Sequence, residues 1–269
     1  MLNAKQRFLM DTYGYVVVPN VVEEDLMSRV RQAMDRMDRE LPVHQLNEEP
    51  WPPGKPRKST GTPYFSKFGP CIEYDPSFLE IAMHPKVMAI AEDIVGGPVR
   101  YEEQECSINS KHPEDDHIDV KKLGWHRGIG TDFSVFNGEG RKHYLWIKAI
   151  VFLTDIGPED GGTSVIPGTQ NKGTVEDLIP DLEPWMVHRA QGPAGSVLFF
   201  SEALIHSVTP ILSDKKRYIM ITGYVPPFMR EYSAEDWVSE AFLEKVGEKE
   251  RIFLTGDHPK RSRYSYRRL

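Results

Sequence analysis

Two histidines carry the strongest chemical signal in this sequence: His126, in Leu-Gly-Trp-His-Arg-Gly-Ile-Gly (123–130), and His206, eighty residues later in Glu-Ala-Leu-Ile-His-Ser (202–207). A neutral imidazole is the commonest side-chain ligand for transition metals, and two distant ones can meet when a closed or stacked β-sheet brings their strands together. Arg217 follows His206 by eleven residues, at the head of the apolar run Tyr218 to Val225. A guanidinium beside a metal ligand offers a planar, two-pronged partner for a carboxylate. The three residues together therefore suit a metal-bound 2-oxoacid anchored at its far end. Taken singly, each histidine reads as a satisfied imidazole in or near the core; the ordered set is what points to a site.

The elements that must position these residues are legible in outline. Gln6 to Tyr13 reads as a short helix, and Gly14 to Pro19 as a β-rich run closed by proline. From Glu23 to Leu41, the residues Leu26, Val30, Met34, Met37 and Leu41 recur at helical spacing among charges, the pattern of an amphipathic helix. Pro42 to Pro63 is dense in proline, glycine and charge and reads as a long surface loop, in which Trp51 and His44 could cover a pocket. Helical patterning returns from Pro76 to Ile94, broken near Pro85 and ended by Gly96 and Gly97. Strand-like runs follow at Val99–Glu103, Cys106–Ser110, Tyr144–Leu153, Thr163–Ile166, Ser196–Phe200 and Tyr218–Val225. Helices first and many short strands later imply an α+β, mostly β chain with helices packed on one face of an antiparallel core. A single domain over 1–269 is expected, with N-terminal helices to residue 97, a β-core at about 99–225 and a helical, basic end at 233–269. Lys260, Arg261, Arg263, Arg267 and Arg268 form that basic end, read as a solvated tail.

Bulk properties narrow the function classes. At 27% charged and 39% hydrophobic residues the composition is that of an ordinary globular protein, and a net charge of −7 argues against a nucleic-acid polymer as partner. No run approaches the roughly 20 apolar residues of a membrane span, and a cytoplasmic protein is expected. Cys71 and Cys106 lack metal-binding spacing and read as two reduced, packed thiols.

Several further segments join His126, His206 and Arg217 in a recognisable order: Asp11-Thr-Tyr-Gly-Tyr-Val-Val-Val-Pro19, Trp125-His126, Leu153-Thr-Asp155, Glu159-Asp-Gly-Gly-Thr-Ser-Val-Ile-Pro-Gly168 and Gly195-Ser-Val-Leu-Phe-Phe200. With these pieces the chain resembles the phytanoyl-CoA dioxygenase family of Fe(II)- and 2-oxoglutarate-dependent oxygenases. The resemblance implies a double-stranded β-helix, a cupin-like jelly roll. It implies His126 and His206 as metal ligands and Arg217 as the partner of the distal carboxylate of 2-oxoglutarate. Lys148, Thr163 and Thr209 are further candidates for lining the cofactor pocket, although Lys148 also reads as a strand residue whose amine reaches solvent. The implied reaction is oxidation of a C–H bond in a small-molecule substrate, consuming dioxygen and releasing succinate and carbon dioxide.

One departure matters. The family's first ligand pair is His-X-Asp, whereas here Gly128 stands two residues after His126 and offers no ligand atom. In one reading, chloride takes the vacancy and restores charge balance, as in iron halogenases with His-X-Gly. In a second, water fills it, hydroxylation persists, and Glu202 or Asp132 helps from elsewhere. In a third, the pair is His117-Ile118-Asp119, which spells His-X-Asp within a charged loop; His126 is preferred because it stands where the family places its ligand relative to Leu153-Thr-Asp155. In the last, the chain is a non-catalytic cupin-like binding protein, which fold alone never excludes. Hydroxylation ranks above halogenation at this stage.

Overall fold

The computed structural model describes residues 1–44, 52–131, 135–138, 141–171, 174–229 and 238–257. The chain opens with helix α1 (Ala4–Tyr13) and strand β1 (Tyr15–Val18), followed by α2 (Glu24–Glu40) and the hairpin β2 (Arg57–Gly61) and β3 (Phe65–Gly69). Helices α3 (Pro76–Ala82) and α4 (Pro85–Val95) lead into the long strand β4 (Arg100–Asn109). A hairpin of β5 (Val135–Gly138) and β6 (Arg141–Tyr144) precedes β7 (Ile147–Phe152), β8 (Gly162–Val165), β9 (His188–Arg189), β10 (Val197–Ser201), β11 (His206–Thr209) and β12 (Arg217–Val225). Short helices follow at Glu240–Leu243 and Glu248–Thr255.

Local chemistry explains the helix limits. Asn3 and Gln6 of α1 exchange side-chain and backbone bonds at 2.9 Å, satisfying two donors that the first turn leaves open. Proline opens both α3 and α4, where its fixed φ and missing N–H cost nothing, and this divides the apolar stretch from Pro76 to Ile94 into two helices. On α2, Leu26, Met27, Val30, Ala33, Met34 and Met37 are buried, leaving the charged face outward.

Seven strands form one sheet in the order β1-β10-β7-β12-β4-β3-β2, and β11-β8-β9 form a second. All pairings in these sheets are antiparallel. This is a double-stranded β-helix with helices on one side. Strand alternation gives the larger sheet two different faces. Ile147, Ala149 and Val151 of β7, with Val197 and Phe199 of β10 and Met220 of β12, pack into the same core as the buried residues of α2, α3 and α4. The intervening residues, Ile150 and Phe152, Leu198 and Phe200, and Ile219, form a second apolar cluster together with Val165 of β8. Burying each large apolar side chain contributes about 1.5–3 kcal/mol, so the helix-backed face anchors the sheet while the other face is free to carry a site.

Two expectations are corrected. The β-core does not begin near residue 99, because β1, β2 and β3 supply three of the seven strands of the larger sheet. Nor is Pro42–Pro63 all loop: Arg57–Gly61 pairs with β3, which pairs with β4 from Phe65 opposite Asn109 to Phe68 opposite Cys106. An open strand edge recruited a segment whose local composition favours turns. The two runs at Val99–Glu103 and Cys106–Ser110 are one strand, continuous through Gln104 and Glu105. Trp51, Asp132 and the basic end from Lys260 lie outside the described residues. No helix among the described residues is long and apolar enough to cross a membrane.

Candidate active site

His126 and His206 face each other across a two-residue antiparallel bridge: His126 N–H donates to the carbonyl of His206 at 3.0 Å, and His206 N–H returns a bond to His126 at 2.9 Å. Their ring centroids are 4.3 Å apart. The backbone that makes this bridge is held by Trp125, whose buried indole N–H donates to the carbonyl of Val120 at 2.7 Å. Each ring is oriented the same way. His126 Nδ1 lies 2.9 Å from the carbonyl of Gly124 and His206 Nδ1 lies 2.8 Å from that of Leu204. A carbonyl only accepts, so each Nδ1 carries the proton and each Nε2 keeps a bare lone pair, the tautomer a metal ligand needs. Burial pulls the pKa of His206 down to about 4 against the opposing pull of Glu202, so the ring is neutral near pH 7.

A cavity of about 310 Å³ opens between the two sheets, and its wall includes His126, His206, Lys148, Thr163 and Arg217. Arg217 is buried, and its guanidinium is poorly satisfied: Nη1 donates to the carbonyl of Thr209 at a long 3.5 Å, and Nε has no hydrogen-bond partner. Burial lowers its pKa to about 10, partly offset by Asp160, and it stays cationic. Space for it depends on Gly161, whose φ of +74° suits glycine and where a Cβ would overlap the guanidinium. A buried cation with donors to spare calls for an anion, and a carboxylate is the partner its planar fork fits.

Lys148 is mostly enclosed, with its side chain 16% exposed. Its amine lies 3.0 Å from Glu103 Oε1 and 3.5 Å from Glu202 Oε1. Burial alone would lower its pKa, but the carboxylates of Glu202 and Glu103 raise it above the ordinary lysine value. Glu103, a neighbour the sequence reading missed, is itself pushed upward by burial despite Lys148. The only trace of it in the sequence is a charged pair, Glu103 and Glu105, at alternate positions of a strand.

Thr163 lines the cavity, opposite Val208 in the register of β8 and β11. Thr209 is not among the lining residues; its hydroxyl is bonded to Ser164 at 2.5 Å and its carbonyl meets Arg217. Gly128 sits directly across from Glu202, its N–H donating to the Glu202 carbonyl at 2.9 Å, and a Cβ at 128 would run into Glu202 Oε2. His117 and Asp119 lie apart from this assembly: His117 is exposed against Asp116, and Asp119 caps the turn Val120–Lys122. Among the described residues no three His, Cys, Asp or Glu side chains are already set around one metal position. A larger cavity, about 890 Å³, lies between α2, α3 and the C-terminal helices and shares no lining residue with this one.

The pattern of the phytanoyl-CoA dioxygenase (PhyH) family matches residues 10–219, a span that includes both histidines and Arg217. The chain belongs to that family. It is thereby an oxidoreductase of the iron- and 2-oxoglutarate-dependent dioxygenases. An L-proline trans-4-hydroxylase of Streptomyces griseoviridis is 23% identical over 253 residues, covering 83% of this chain and 86% of the hydroxylase. HygX of Streptomyces hygroscopicus, solved with nickel, 2-oxoglutarate and hygromycin B bound, superposes with a TM-score of 0.66 at 22% identity, over 86% of this chain and 90% of HygX. The carbocyclase SnoK from nogalamycin biosynthesis superposes with a TM-score of 0.61 at 18% identity, over 91% of each chain. These similar proteins include a hydroxylase and a carbocyclase, and likeness of fold does not choose a reaction.

The residues present fit iron and 2-oxoglutarate in two respects: both imidazoles present a bare Nε2, and a buried, unsatisfied guanidinium stands in the wall of the same cavity.

Proposed function

We propose that this chain hydroxylates a C–H bond of a small, polar molecule, with His126 and His206 holding Fe(II) and Arg217 holding the distal carboxylate of 2-oxoglutarate. The observation that carries this reading is the shared cavity: two tautomer-fixed histidines, bridged through their backbones, and a guanidinium lacking a full set of acceptors all face it. When bound, iron and 2-oxoglutarate supply the activation of dioxygen, with succinate and carbon dioxide as co-products.

The protein's own part is placement and exclusion of water. His126 and His206 donate Nε2 lone pairs, and Arg217 fixes the cosubstrate by two parallel charge-assisted bonds. Thr163 adds a hydroxyl to the same wall, while Phe200 and Ile219 keep it dry beside His206. At about 310 Å³ the cavity is at the small end of ligand sites, so a compact metabolite fits it better than a long acyl chain once 2-oxoglutarate is inside. Lys67 and Glu105, paired at 2.9 Å on the wall, favour a substrate with polar groups. The likeness to a proline hydroxylase supports hydroxylation of such a molecule. Halogenation has less support, because a carboxylate already fills the space beside Gly128 where chloride would sit, and it repels an anion.

Anaerobic addition of Fe(II) and 2-oxoglutarate should give the weak visible charge-transfer band of the chelate, and admission of air should release succinate. A colourless mixture with no succinate would leave only a binding protein. Product mass spectra with and without chloride would then separate oxygen from halogen insertion, and a chlorinated product would overturn hydroxylation.

A further inference from the structure

We propose that Glu202 is the third protein ligand of the metal, replacing from the turn before β11 the acid that position 128 lacks. This rests on His126 and His206 as iron ligands. The backbone sets the two positions face to face: the N–H groups of Gly128 and Ile129 both donate to the Glu202 carbonyl, at 2.9 and 3.4 Å. The Glu202 carboxylate reaches back across this bridge into the volume that a side chain at 128 would occupy. Glycine at 128 is therefore clearance for Glu202, whose carboxylate takes the place of a side chain at that position.

The state of that carboxylate leaves it open to a further partner. Glu202 is 2% exposed, and its Oε1 accepts no hydrogen bond. Lys148 supplies charge but no hydrogen bond: its amine is shared with Glu103, at 3.0 Å, and stands 3.5 Å from Glu202. A buried carboxylate oxygen that has a nearby charge but no hydrogen bond keeps its lone pairs available to a ligand-accepting ion. The atom it approaches is a metal ligand: Oε1 lies 4.0 Å from His206 Nε2. With metal–ligand bonds of about 2.0–2.2 Å, two ligand atoms at a right angle stand about 3 Å apart, so Glu202 Oε1 is about 1 Å beyond ligand spacing from His206 Nε2, a gap on the scale of a side-chain torsion. Two neutral imidazoles and one carboxylate also give the metal the net charge that His-X-Asp would have given, which leaves chloride no electrostatic role.

Co(II), a visible-absorbing stand-in for Fe(II), tests this by anaerobic calorimetry and ligand-field spectra on wild type, E202Q, E202A, H206A and the E202A/G128D double variant. Thermal melts identify any variant that fails to fold, and the near-isosteric E202Q carries the test if E202A does. The expected result is affinity about 100-fold or more weaker in E202Q and E202A with an altered Co(II) spectrum, a loss at or beyond the upper end of what an outer-sphere partner causes. E202A/G128D should recover to within about tenfold of wild type, because aspartate then has room to ligate. Affinity within about threefold of wild type in both E202Q and E202A, alongside a large loss in H206A, would overturn Glu202 as a ligand and leave the histidines standing. Undiminished affinity in H206A would instead remove the iron reading itself, and this proposal with it.

Discussion

Two segments nine residues apart compete for the same role, and the one that spells the motif is not the one the fold uses for its cavity. His117-Ile118-Asp119 has the letters of a ligand pair, yet the His117 side chain is 73% exposed and Asp119 accepts from the N–H of Lys121 at 3.1 Å as the cap of a three-residue turn. His126-Arg127-Gly128 lacks the acid, yet its backbone is bridged to His206 and its glycine faces Glu202. A metal ligand is useful only if a second one arrives from elsewhere in the chain. That arrival is decided by strand register, which a three-letter pattern does not contain.

The sharpest way to break this comparison is to remove one imidazole from each segment. Loss of His206 or His126 should weaken Fe(II) or Co(II) binding by about 100-fold or more and reduce succinate release in proportion. His117→Ala should change either by about twofold at most, as surface substitutions generally do. Calorimetric titration with the metal, followed by succinate assays on the same preparations, reads both. If His117→Ala were as damaging as His126→Ala, the exposed loop would have to fold into the site, and the assignment of His126 would fall.

The two segments also show what the sequence could and could not reveal. Arg217 was readable because it heads an apolar run that marks a strand, and the two histidines because they fall in order among the segments that resemble the family. Glu202 was visible only as an acid near His206; nothing in the order of residues says that it faces Gly128 across a backbone bridge. Thr209 was misjudged for a related reason: in β11 it pairs with Gly162, and its hydroxyl meets Ser164, away from the cavity wall. The hairpin β2–β3 escaped because proline and glycine around it signal turns, and its strands form against the edge of β4, a partner some forty residues on. Local propensity is a statement about isolated segments, and sheet edges override it.

A second, smaller effect separates the metal end of the cavity from the end where Arg217 lies. Replacing Arg217 by methionine should weaken 2-oxoglutarate binding by about 2–5 kcal/mol, roughly 30-fold or more, since the anion would enter a buried site without its charged partner. Arg217→Lys should recover only part of this, because a point charge cannot form two parallel bonds to one carboxylate. Metal affinity measured without 2-oxoglutarate should stay within about threefold of wild type in both variants. Titration of 2-oxoglutarate into the anaerobic iron form, followed at the visible band, gives the first quantity, and calorimetry with Co(II) gives the second. Equal losses in both would mean that Arg217 braces the histidines and does not anchor the cosubstrate.

The smallest expected effect is the most discriminating for the literal motif. Asp119 holds its carboxylate below the usual range because it accepts the backbone N–H of Lys121, with Lys122 adding an ion pair at 3.4 Å. Those are the bonds of a cap on an exposed turn. Asp119→Ala should therefore lower the melting temperature by no more than about 2 °C and leave metal affinity unchanged. The turn it caps leads directly to Val120, whose carbonyl receives the Trp125 indole, so a slight loosening of the segment could reach His126 through that tryptophan. Asp119→Asn distinguishes this from ligation: the amide oxygen still caps the turn, so the melting temperature should return to that of wild type, whereas a lost carboxylate ligand would not be restored. A drop of tenfold or more in metal affinity for Asp119→Asn would make the spelled motif a genuine ligand pair.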